Sequence, residues 1–294
     1  MAAVGSAPTK LLLFGEHSAV YGFPAVGIPL SWRITVTLKD ADRFCWKIDS
    51  SHLSRLNPIL PRLTRIFPEI KTPFEIAVHS DAPIGVGFGS SGALCVAIAR
   101  AVFAKIGHEP TTEEVWTRAH ALESHFHNNP SGVDTGISTM EQAGFLKKDG
   151  GSLPSFQQLN KKLPCLIIGA FPRCSNTGNL ISGLRHKLET EPQSIRHIEE
   201  LGRIAEESIA VMDNPMKFGE LANMAHNHLK TLGLSTPELD RFLKTAISHG
   251  AFGGKLSGAG GGGAFYLACE NSQSAKEIIQ NLSFPSLLAP SIIN

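Results

Sequence analysis

Three alternating glycines and two serines stand directly before an apolar, helix-like stretch. They lie in the segment Pro83-Ile84-Gly85-Val86-Gly87-Phe88-Gly89-Ser90-Ser91. Glycine lets a backbone approach a ligand closely, and the first turn of a helix offers unpaired N–H groups and the positive end of the helix dipole. The segment therefore predicts a cradle for phosphate groups, in which Ser90 and Ser91 can touch phosphate or a phosphate-bound Mg²⁺.

Two common phosphate-binding motifs do not fit this segment. No Lys-Ser or Lys-Thr pair follows the last glycine, as a Walker A loop requires. The spacing of Gly85, Gly87 and Gly89 also differs from the GxGxxG of dinucleotide-binding βαβ units. A serine-capped turn without a ligand is the structural alternative, but the three glycines and two serines together favour phosphate binding.

A second glycine run, Gly258-Ala259-Gly260-Gly261-Gly262-Gly263, precedes an apolar strand. Fixing so many glycines is entropically unfavourable, so the run favours a place where side chains must be absent, against a ligand or another backbone. A flexible surface linker is the alternative, but apolar residues flank the run closely. Lys255 precedes it and can contact phosphate, although a lone lysine is more often exposed to solvent.

Charged residues near the N-terminus and in the centre of the chain complete the set. Lys10 and Glu16 flank the apolar run Leu11–Phe14, and Glu123 and Asp134 lie on either side of a Pro-Ser-Gly turn. In a shared site, one carboxylate can hold Mg²⁺ and the other can lie beside a substrate hydroxyl. A nearby lysine would keep that carboxylate ionised. Taken singly, each residue also fits a plainer role as a strand end, a turn or cap residue, or an exposed helix position.

Two His-x-His pairs, His125/His127 and His226/His228, have a spacing that can bind metal on a strand. Both pairs lie on or near predicted helices, where side chains at i and i+2 point apart. A zinc site at either pair is therefore disfavoured.

Periodicity and breakers predict the elements that must position these residues. Strands are predicted at Leu11–Phe14, Ala25–Ile28, Trp32–Lys39, Cys45–Ile48, Phe74–His79, Cys165–Ala170 and Ala264–Cys269. Helices are predicted from Ser90 or Ser91 to Ile106 and at Thr111–His125, Ser194–Met212, Phe218–Leu232, Thr236–His249 and Ala275–Leu282. Strands dominate early and helices later, which favours an α+β fold. Turn residues at 149–154 suggest an N-terminal lobe at 1–160 and a C-terminal lobe at 161–294.

Composition limits the function classes. The 294 residues are 42% hydrophobic and 18% charged, with a formal net charge of +1. A globular protein with a sizeable core fits these values, and no bulk attraction to nucleic acid or a membrane surface is expected. The five cysteines form no CxxC pair, so free thiols in a reducing compartment are expected. The first apolar run is too short for a signal peptide or a membrane span, and a cytoplasmic location is predicted.

Together and in this order, the segments resemble the small-molecule kinase family that acts on galactose, homoserine, mevalonate and phosphomevalonate. The resemblance extends from Ser6 to about Ile292. It rests on KLLLFGEHSAVY at 10–21, the glycine-serine loop at 83–93, HNNPSGVD at 127–134, PRCSNTGNLISG at 172–183, MAHNHLKTLGL at 224–234 and KLSGAGGGG at 255–263. The GEH and NPSGVD details, without the Asp-Tyr that follows GEH in galactokinases, favour the mevalonate-phosphorylating members.

The resemblance implies a two-lobed α+β fold with ATP and substrate in the cleft between the lobes. Asp134 would be the general base, or the anion that orients the substrate hydroxyl, and Lys10 would neutralise charge beside it. Ser91 and Glu123 would bind Mg²⁺. The residues implied to bind ATP are Pro83, Gly85, Val86, Gly87, Phe88, Gly89, Ser90 and Ser91. Those implied to line the substrate site are Glu16, His17, Thr177, Gly258 and Ala259. The family also makes a homodimer a reasonable expectation.

The chain departs from the family pattern at a few positions. Phe88 replaces a common leucine, Gly92 an alanine and Asn128 a glycine, and Cys174-Ser175 is inserted before Asn176-Thr177. None of these changes removes a charged candidate, but those at Asn128 and Cys174-Ser175 leave the substrate open.

Two alternatives to mevalonate phosphorylation remain. A kinase of this family acting on phosphomevalonate or a sugar would keep the same chemistry. A phosphorylated substrate would need further cations, for which Arg33, Arg173 and Arg185 are available. A catalytically silent, ligand-binding regulator is the other alternative, and retention of Lys10, Glu123 and Asp134 argues against it.

Overall fold

The chain forms two β-sheets covered by helices. The computed structural model describes residues 2–48, 56–126, 130–174, 177–282 and 291–293. The strands are β1 (Ala3–Phe14), β2 (Ala25–Asp40), β3 (Cys45–Lys47), β4 (Phe74–Ser80), β5 (Gly144–Lys147), β6 (Ser155–Gln158), β7 (Cys165–Phe171), β8 (Gly253–Leu256), β9 (Gly263–Cys269) and β10 (Ser291–Ile293). The α-helices are α1 (Leu60–Ile66), α2 (Ser90–Ile106), α3 (Thr112–Glu123), α4 (Val133–Met140), α5 (Thr177–Thr190), α6 (Ile195–Ser208), α7 (Pro215–Thr231), α8 (Pro237–Ser248) and α9 (Ser272–Asn281).

The first sheet takes its strands from residues 3–158, in the order β3-β4-β2-β5-β6, with β1 paired to β2. The long strand β2 pairs antiparallel with β1, with β5 at Ala25–Gly27 and with β4 at Ile34–Asp40. The second half of β1 is buried at every position. It therefore runs through the interior of the molecule and carries Lys10 there.

Helix α2 lies along β1 and fixes the position of the first glycine loop. A Cβ on Gly5 of β1 would lie 2.2 Å from the carbonyl oxygen of Ala97, so this close approach requires a glycine. Gly89 and Gly107, with φ of 69° and 72°, flank the helix at its two ends. The predicted capping box of Thr111 and Glu114 is present at the start of α3. The predicted boundaries of α2 are confirmed.

The second sheet, in the order β10-β7-β9-β8, is antiparallel throughout. The second glycine run joins β8 to β9, and α7 and α8 begin at proline after the capping residues Asn214 and Thr236. Leu11, Leu13 and Phe14 of β1 share one hydrophobic cluster with β7 and β9. The end of β1 is thus packed against the second sheet, and its charged neighbours lie between the two sheets.

The α+β class is confirmed, but some predicted elements differ. The strands predicted at Ala25–Ile28 and Trp32–Lys39 are one strand, because β1 pairs with β2 on both sides of Pro29. Helix α5 begins at Thr177, inside the motif at 172–183, where no helix was predicted. The division at 160/161 falls between β6 and β7 and stays a prediction. Within the described part of the chain, no helix is both long and apolar enough to span a bilayer.

Candidate active site

Lys10 and Asp134 form a salt bridge where β1, α2 and α4 meet. Lys10 Nζ lies 3.1 Å from Asp134 Oδ1, and the two side chains are 2% and 28% exposed. The N–H of Lys10 donates to the carbonyl oxygen of Phe88 at 2.9 Å. The lysine side chain crosses Gly89 so closely that a Cβ there would lie 2.6 Å from Lys10 Cγ. The lysine is therefore fixed by the first glycine loop, while part of the Asp134 carboxylate remains open to a ligand.

Asp134 stands in the first turn of α4. Gly132, with φ of 79°, precedes the helix, and a carboxylate in this turn is stabilised by the helix dipole. A Cβ on Gly92 of α2 would lie 2.9 Å from Asp134 Cβ. The alanine common in the family would force α2 and α4 apart here, so Gly92 brings the two helix starts closer together.

The first glycine loop has the backbone that its alternating glycines predict. Gly85, Gly87 and Gly89 have φ of 84°, 111° and 69°. Pro83 is half-buried and Gly85 is exposed, and Ser90 and Ser91 are half-buried in the first turn of α2. The loop thus presents an accessible helix start beside the Lys10–Asp134 pair.

Phe88 and Val86 hold this loop in place. The Phe88 side chain is 1% exposed and packs edge-on against Trp32, with ring centroids 5.1 Å apart. The carbonyl oxygen of Val86 accepts a hydrogen bond of 2.6 Å from the N–H of Ala264 in β9. Phe88 can therefore offer a ligand its backbone but not its buried ring, which narrows the predicted role of this residue.

Glu123 ends α3 as a buried carboxylate. Its side chain is 3% exposed and lies 3.8 Å from Nδ1 of His120. The hydroxyl of Thr135 in α4 donates to Glu123 Oε2 at 3.2 Å. In the described part of the chain, no lysine or arginine lies within ion-pair distance of Glu123. A buried carboxylate whose nearest basic group in the described ranges is a histidine, rather than a lysine or arginine, fits a cation ligand, and the alternative of an exposed helix position is wrong.

The second glycine run is a compact loop rather than a linker. Gly258, Gly260, Gly261, Gly262 and Gly263 all have positive φ, between 67° and 91°. A Cβ on Gly260 would lie 2.2 Å from the carbonyl oxygen of Leu234, and one on Gly262 would lie 2.3 Å from that of Pro172. Side chains are therefore excluded by neighbouring backbone, while Gly258 and Ala259 stay partly accessible beside Gly87.

Glu16 and Lys255 form an ion pair with both side chains fully buried. The ammonium group of Lys255 donates to Glu16 Oε1, and to the carbonyl oxygen of Leu256 at 2.7 Å. Burial raises the pKa of Glu16, and the nearby lysine opposes this rise. The interpretation of Lys255 as a solvent-exposed residue is wrong. Glu16 Oε2 has no hydrogen-bond partner among the described residues.

His17 links the first lobe to the second glycine run. Its Nε2 donates to the carbonyl oxygen of Ala259 at 3.1 Å, and its φ is 62°. Burial lowers the pKa of His17 to about 4, so the imidazole is neutral near pH 7. Glu16, His17, Gly258 and Ala259, predicted to line the substrate site, therefore lie together.

The last substrate-site candidate, Thr177, is the first residue of α5, and its side chain is not among those described. Five further residues of the recognised motifs also lie outside the described residues: His127, Asn128, Asn129, Ser175 and Asn176.

The three arginines considered for a phosphorylated substrate occupy different places. Arg33 binds both carboxylate oxygens of Glu141 at 2.8 and 3.0 Å, and Arg185 is exposed on α5. Arg173 lies at the glycine loops, its Nη2 only 3.2 Å from where a Cβ on Gly87 would stand.

Three residues of this region were not found by sequence reasoning. Ser257 bonds through its hydroxyl to both the N–H and the carbonyl oxygen of Leu12, at 3.1 and 2.9 Å. Tyr266 donates its hydroxyl to the carbonyl oxygen of Leu13 at 2.8 Å. Thr135 positions Glu123. Only their closeness in sequence to the recognised motifs could have pointed to them, because Ser257 and Tyr266 contact a segment distant along the chain and Thr135 contacts the preceding helix.

His226 and His228 point apart, as their spacing on a helix predicts. His226 lies 3.0 Å from Asp240 through Nε2, and its Nδ1 accepts from the N–H of Leu256 at 3.4 Å. The Nδ1 atoms of His228 and His197 are 2.8 Å apart. No group of three or more His, Cys, Asp or Glu side chains in the described ranges is placed to hold a metal ion.

Two family models match this chain. The model described as GHMP kinases N terminal domain matches residues 58–142, and that described as GHMP kinases C terminal matches residues 193–285. Mevalonate kinase of Thermococcus onnurineus is 30% identical over 314 aligned positions, which cover 93% of this chain and 91% of the relative.

Two solved structures resemble the fold almost equally. L. major mevalonate kinase, solved in complex with R-mevalonate, superimposes with a TM-score of 0.81 at 20% identity, covering 99% of this chain and 94% of that chain. Streptococcus pneumoniae phosphomevalonate kinase, in complex with phosphomevalonate and AMPPNP, gives 0.80 at 15% identity, with 99% of both chains covered. At such identities these likenesses show the fold, and the fold does not distinguish the two substrates.

Proposed function

The chain belongs to the GHMP kinases, and we propose that it transfers the terminal phosphoryl group of ATP to the 5-hydroxyl of mevalonate, giving 5-phosphomevalonate and ADP. The observation that carries the proposal is the Lys10–Asp134 pair beside the accessible start of α2. This arrangement puts an anion for a hydroxyl group next to a cradle for phosphates. Likeness to mevalonate kinases over almost the whole chain selects the substrate.

The arrangement suits phosphoryl transfer, which requires mainly positioning and charge neutralisation from the protein. The glycine loop and the N–H groups at the start of α2 hold the phosphates of ATP. Asp134 accepts a hydrogen bond from the attacking hydroxyl, orients it, and takes its proton as the new O–P bond forms. Lys10 holds the Asp134 carboxylate through their salt bridge and offsets the negative charge that develops on the attacking oxygen.

Ser91 and Glu123 are proposed to hold Mg²⁺. Their hydroxyl and carboxylate oxygens are the ligands that this ion prefers, and in the described part of the chain no lysine or arginine pairs with the buried Glu123. When bound, Mg²⁺ neutralises charge on the phosphate oxygens of ATP. The protein's own contribution is to hold Glu123 through the Thr135 hydroxyl.

The acceptor is proposed to bind beside Glu16, His17, Gly258 and Ala259. The buried Glu16 Oε2 lacks a partner among the described residues and fits a hydroxyl donor of the substrate. The Arg173 guanidinium at the two glycine loops fits an anionic group. Thr177 stays a candidate near the transferred phosphate.

Phosphomevalonate is the second candidate, and the placement of two of the three arginines argues against it. An additional substrate phosphate needs additional cations, yet Arg33 is engaged by Glu141 and Arg185 is exposed on α5.

A cytoplasmic location and a homodimer remain part of the proposal. The five free cysteines fit a reducing compartment.

The direct test is ADP release by the purified protein with Mg-ATP and one acceptor at a time: mevalonate, phosphomevalonate, galactose or homoserine. Turnover with mevalonate alone is expected. Turnover with another acceptor would move the substrate assignment while keeping the phosphate site. A folded protein that binds ATP but phosphorylates none of the four would contradict the proposed function.

A further inference from the structure

A ladder of contacts joins β8 and the glycine run to the end of β1. Three alternate residues, Lys255, Ser257 and Ala259, each contact the segment 12–17. Lys255 binds Glu16, the Ser257 hydroxyl binds the backbone of Leu12, and the Ala259 carbonyl oxygen accepts from His17. This ladder connects residues about 240 positions apart in sequence. It therefore fixes the turn at residues 15–17, where the acceptor is proposed to bind, relative to the second glycine run.

Lys255 is the charged member of the ladder and has no access to solvent. Its ammonium group donates to Glu16 and to the carbonyl oxygen of Leu256, and it lies 5.8 and 5.4 Å from the ring centroids of Phe14 and Tyr266. These contacts occupy its donors inside the protein. Lys255 is therefore unsuited to bind a phosphate of ATP, the role that its place before a glycine run first indicates.

Glu16 depends on Lys255 for its charge. A fully buried carboxylate is unfavourable without a cation, and Lys255 is the basic group that contacts it. With Oε1 occupied by Lys255, Oε2 is the oxygen left for a ligand. An ionised carboxylate accepts a hydrogen bond from a hydroxyl more strongly than a protonated one does.

We propose that Lys255 is a positioning residue for the phosphoryl acceptor, which keeps Glu16 ionised and holds the turn at residues 15–17 against the second glycine run. The inference rests on the proposed function only in naming the acceptor. It assigns to Lys255 an action through Glu16 and no contact with either substrate.

The effect of pH follows from the groups around Glu16. Burial raises its pKa, and Lys255 and Lys10 oppose this rise. Tyr266, His17 and His226 are further titratable groups of this region. Removing Lys255 therefore raises the pKa of Glu16 further. The low-pH limb of kcat/KM for the acceptor is expected to move to higher pH in Lys255→Met.

The test is a double-mutant cycle with Lys255→Met, Glu16→Gln and the double variant, followed by KM for mevalonate, KM for ATP, pH profiles and thermal unfolding. Lys255→Met is expected to raise the acceptor KM about tenfold, which is the size of effect expected when a hydrogen bond to a charged group is lost. The KM for ATP is expected to change less than about twofold. Because Lys255 acts through Glu16, the double variant should have the acceptor KM of Glu16→Gln. It should also unfold at a higher temperature than Lys255→Met, since neither charge is left unpaired.

Lys230→Met is the matched control. Like Lys255, Lys230 pairs with a carboxylate, and its Nζ lies 2.8 Å from Asp240 Oδ2, but its side chain is 57% exposed. It should leave both KM values unchanged.

An unchanged acceptor KM in folded Lys255→Met, an equal rise of the ATP KM, or additive effects in the double variant would each overturn the inference. If Lys255→Met does not fold, the comparison of the double variant with Glu16→Gln decides. If the wild type does not phosphorylate mevalonate, the proposed function is wrong, independently of Lys255. The double-mutant cycle is then measured with whichever of the four acceptors the wild type does phosphorylate.

Discussion

Lys10 Nζ lies 3.1 Å from Asp134 Oδ1, and the lysine reaches this position from the interior strand β1 across the Cα of Gly89. The pair therefore depends on a glycine of the phosphate loop for its geometry. A single close approach couples the group proposed to orient the acceptor hydroxyl to the loop proposed to hold ATP.

Replacing Asp134 by Asn should abolish most turnover without unfolding the protein. The amide keeps the shape of the side chain and a bond to Lys10, but it cannot take a proton from the hydroxyl. We expect kcat to fall about a thousandfold, within the range for loss of general base catalysis. Steady-state kinetics measures the loss of turnover, and circular dichroism shows whether the fold is intact.

Asp213→Asn is the control, because Asp213 is exposed on the surface after α6. It should retain wild-type kcat. Near-normal turnover in Asp134→Asn would remove Asp134 from the role of general base.

Replacing Lys10 by Met should lower kcat about a hundredfold, because the charge beside the attacking oxygen is lost. The apolar methionine fits a site where the lysine is 2% exposed, and the partly exposed Asp134 can be solvated. Thermal stability should therefore change little. Lys39→Met, at an exposed position of β2, is the matched substitution that should leave kcat unaltered. An unchanged kcat in Lys10→Met would place the lysine outside the reaction.

The conformation of the first glycine loop was predictable because it is specified locally. The alternation of Gly85, Gly87 and Gly89 before Ser90 specifies both the positive φ values and the helix start, and both are present. The capping box at Thr111 was predictable for the same reason, since its donors and acceptors lie three residues apart.

The contacts across the site could not be predicted in this way. Lys255 looks like a surface lysine in the sequence, yet Glu16, which neutralises it, is 239 residues away. No helix was predicted at α4, because Val133–Met140 contains a glycine and β-branched residues that disfavour a helix locally. Packing against α2 at Gly92 overrides that weak preference.

Replacing Thr135 by Val should weaken Mg²⁺ binding while leaving the fold intact. The change removes the hydroxyl that donates to Glu123 Oε2 at 3.2 Å and keeps the branched shape. Loss of a hydrogen bond to a metal-ligating carboxylate typically lowers metal affinity roughly tenfold. The half-saturating Mg²⁺ concentration in the kinase assay should rise accordingly, and Mn²⁺ binding followed by electron paramagnetic resonance should show the same loss without turnover.

Thr139→Val, on the same helix, is a close control. The Thr139 hydroxyl is buried and has no partner among the described residues, so its removal should leave metal affinity unchanged and stability equal or slightly higher. Equal Mn²⁺ affinity in Thr135→Val and Thr139→Val would show that the Thr135 bond does not position a metal ligand.

His17 should make the protein less stable in acid. Burial holds its pKa near 4, below the ordinary value of 6.5, so between these values the unfolded chain binds a proton that the folded protein does not. The stabilising contribution is complete above about pH 6.5 and is lost as pH falls toward 4. Because part of the imidazole is still accessible to solvent, we expect a drop in free energy of unfolding smaller than full burial would give.

Urea unfolding at steps between pH 7 and pH 4 measures this dependence. His17→Gln can still donate to the Ala259 carbonyl oxygen but does not titrate, so its stability should decline less steeply over the same range than that of the wild type. His79→Gln provides the comparison, since His79 is 77% exposed and its pairing with Asp81 is a surface contact. Parallel pH curves for the wild type and His17→Gln would mean that the imidazole protonates freely in the folded protein, and the assignment of a buried, neutral His17 beside the second glycine run would be wrong.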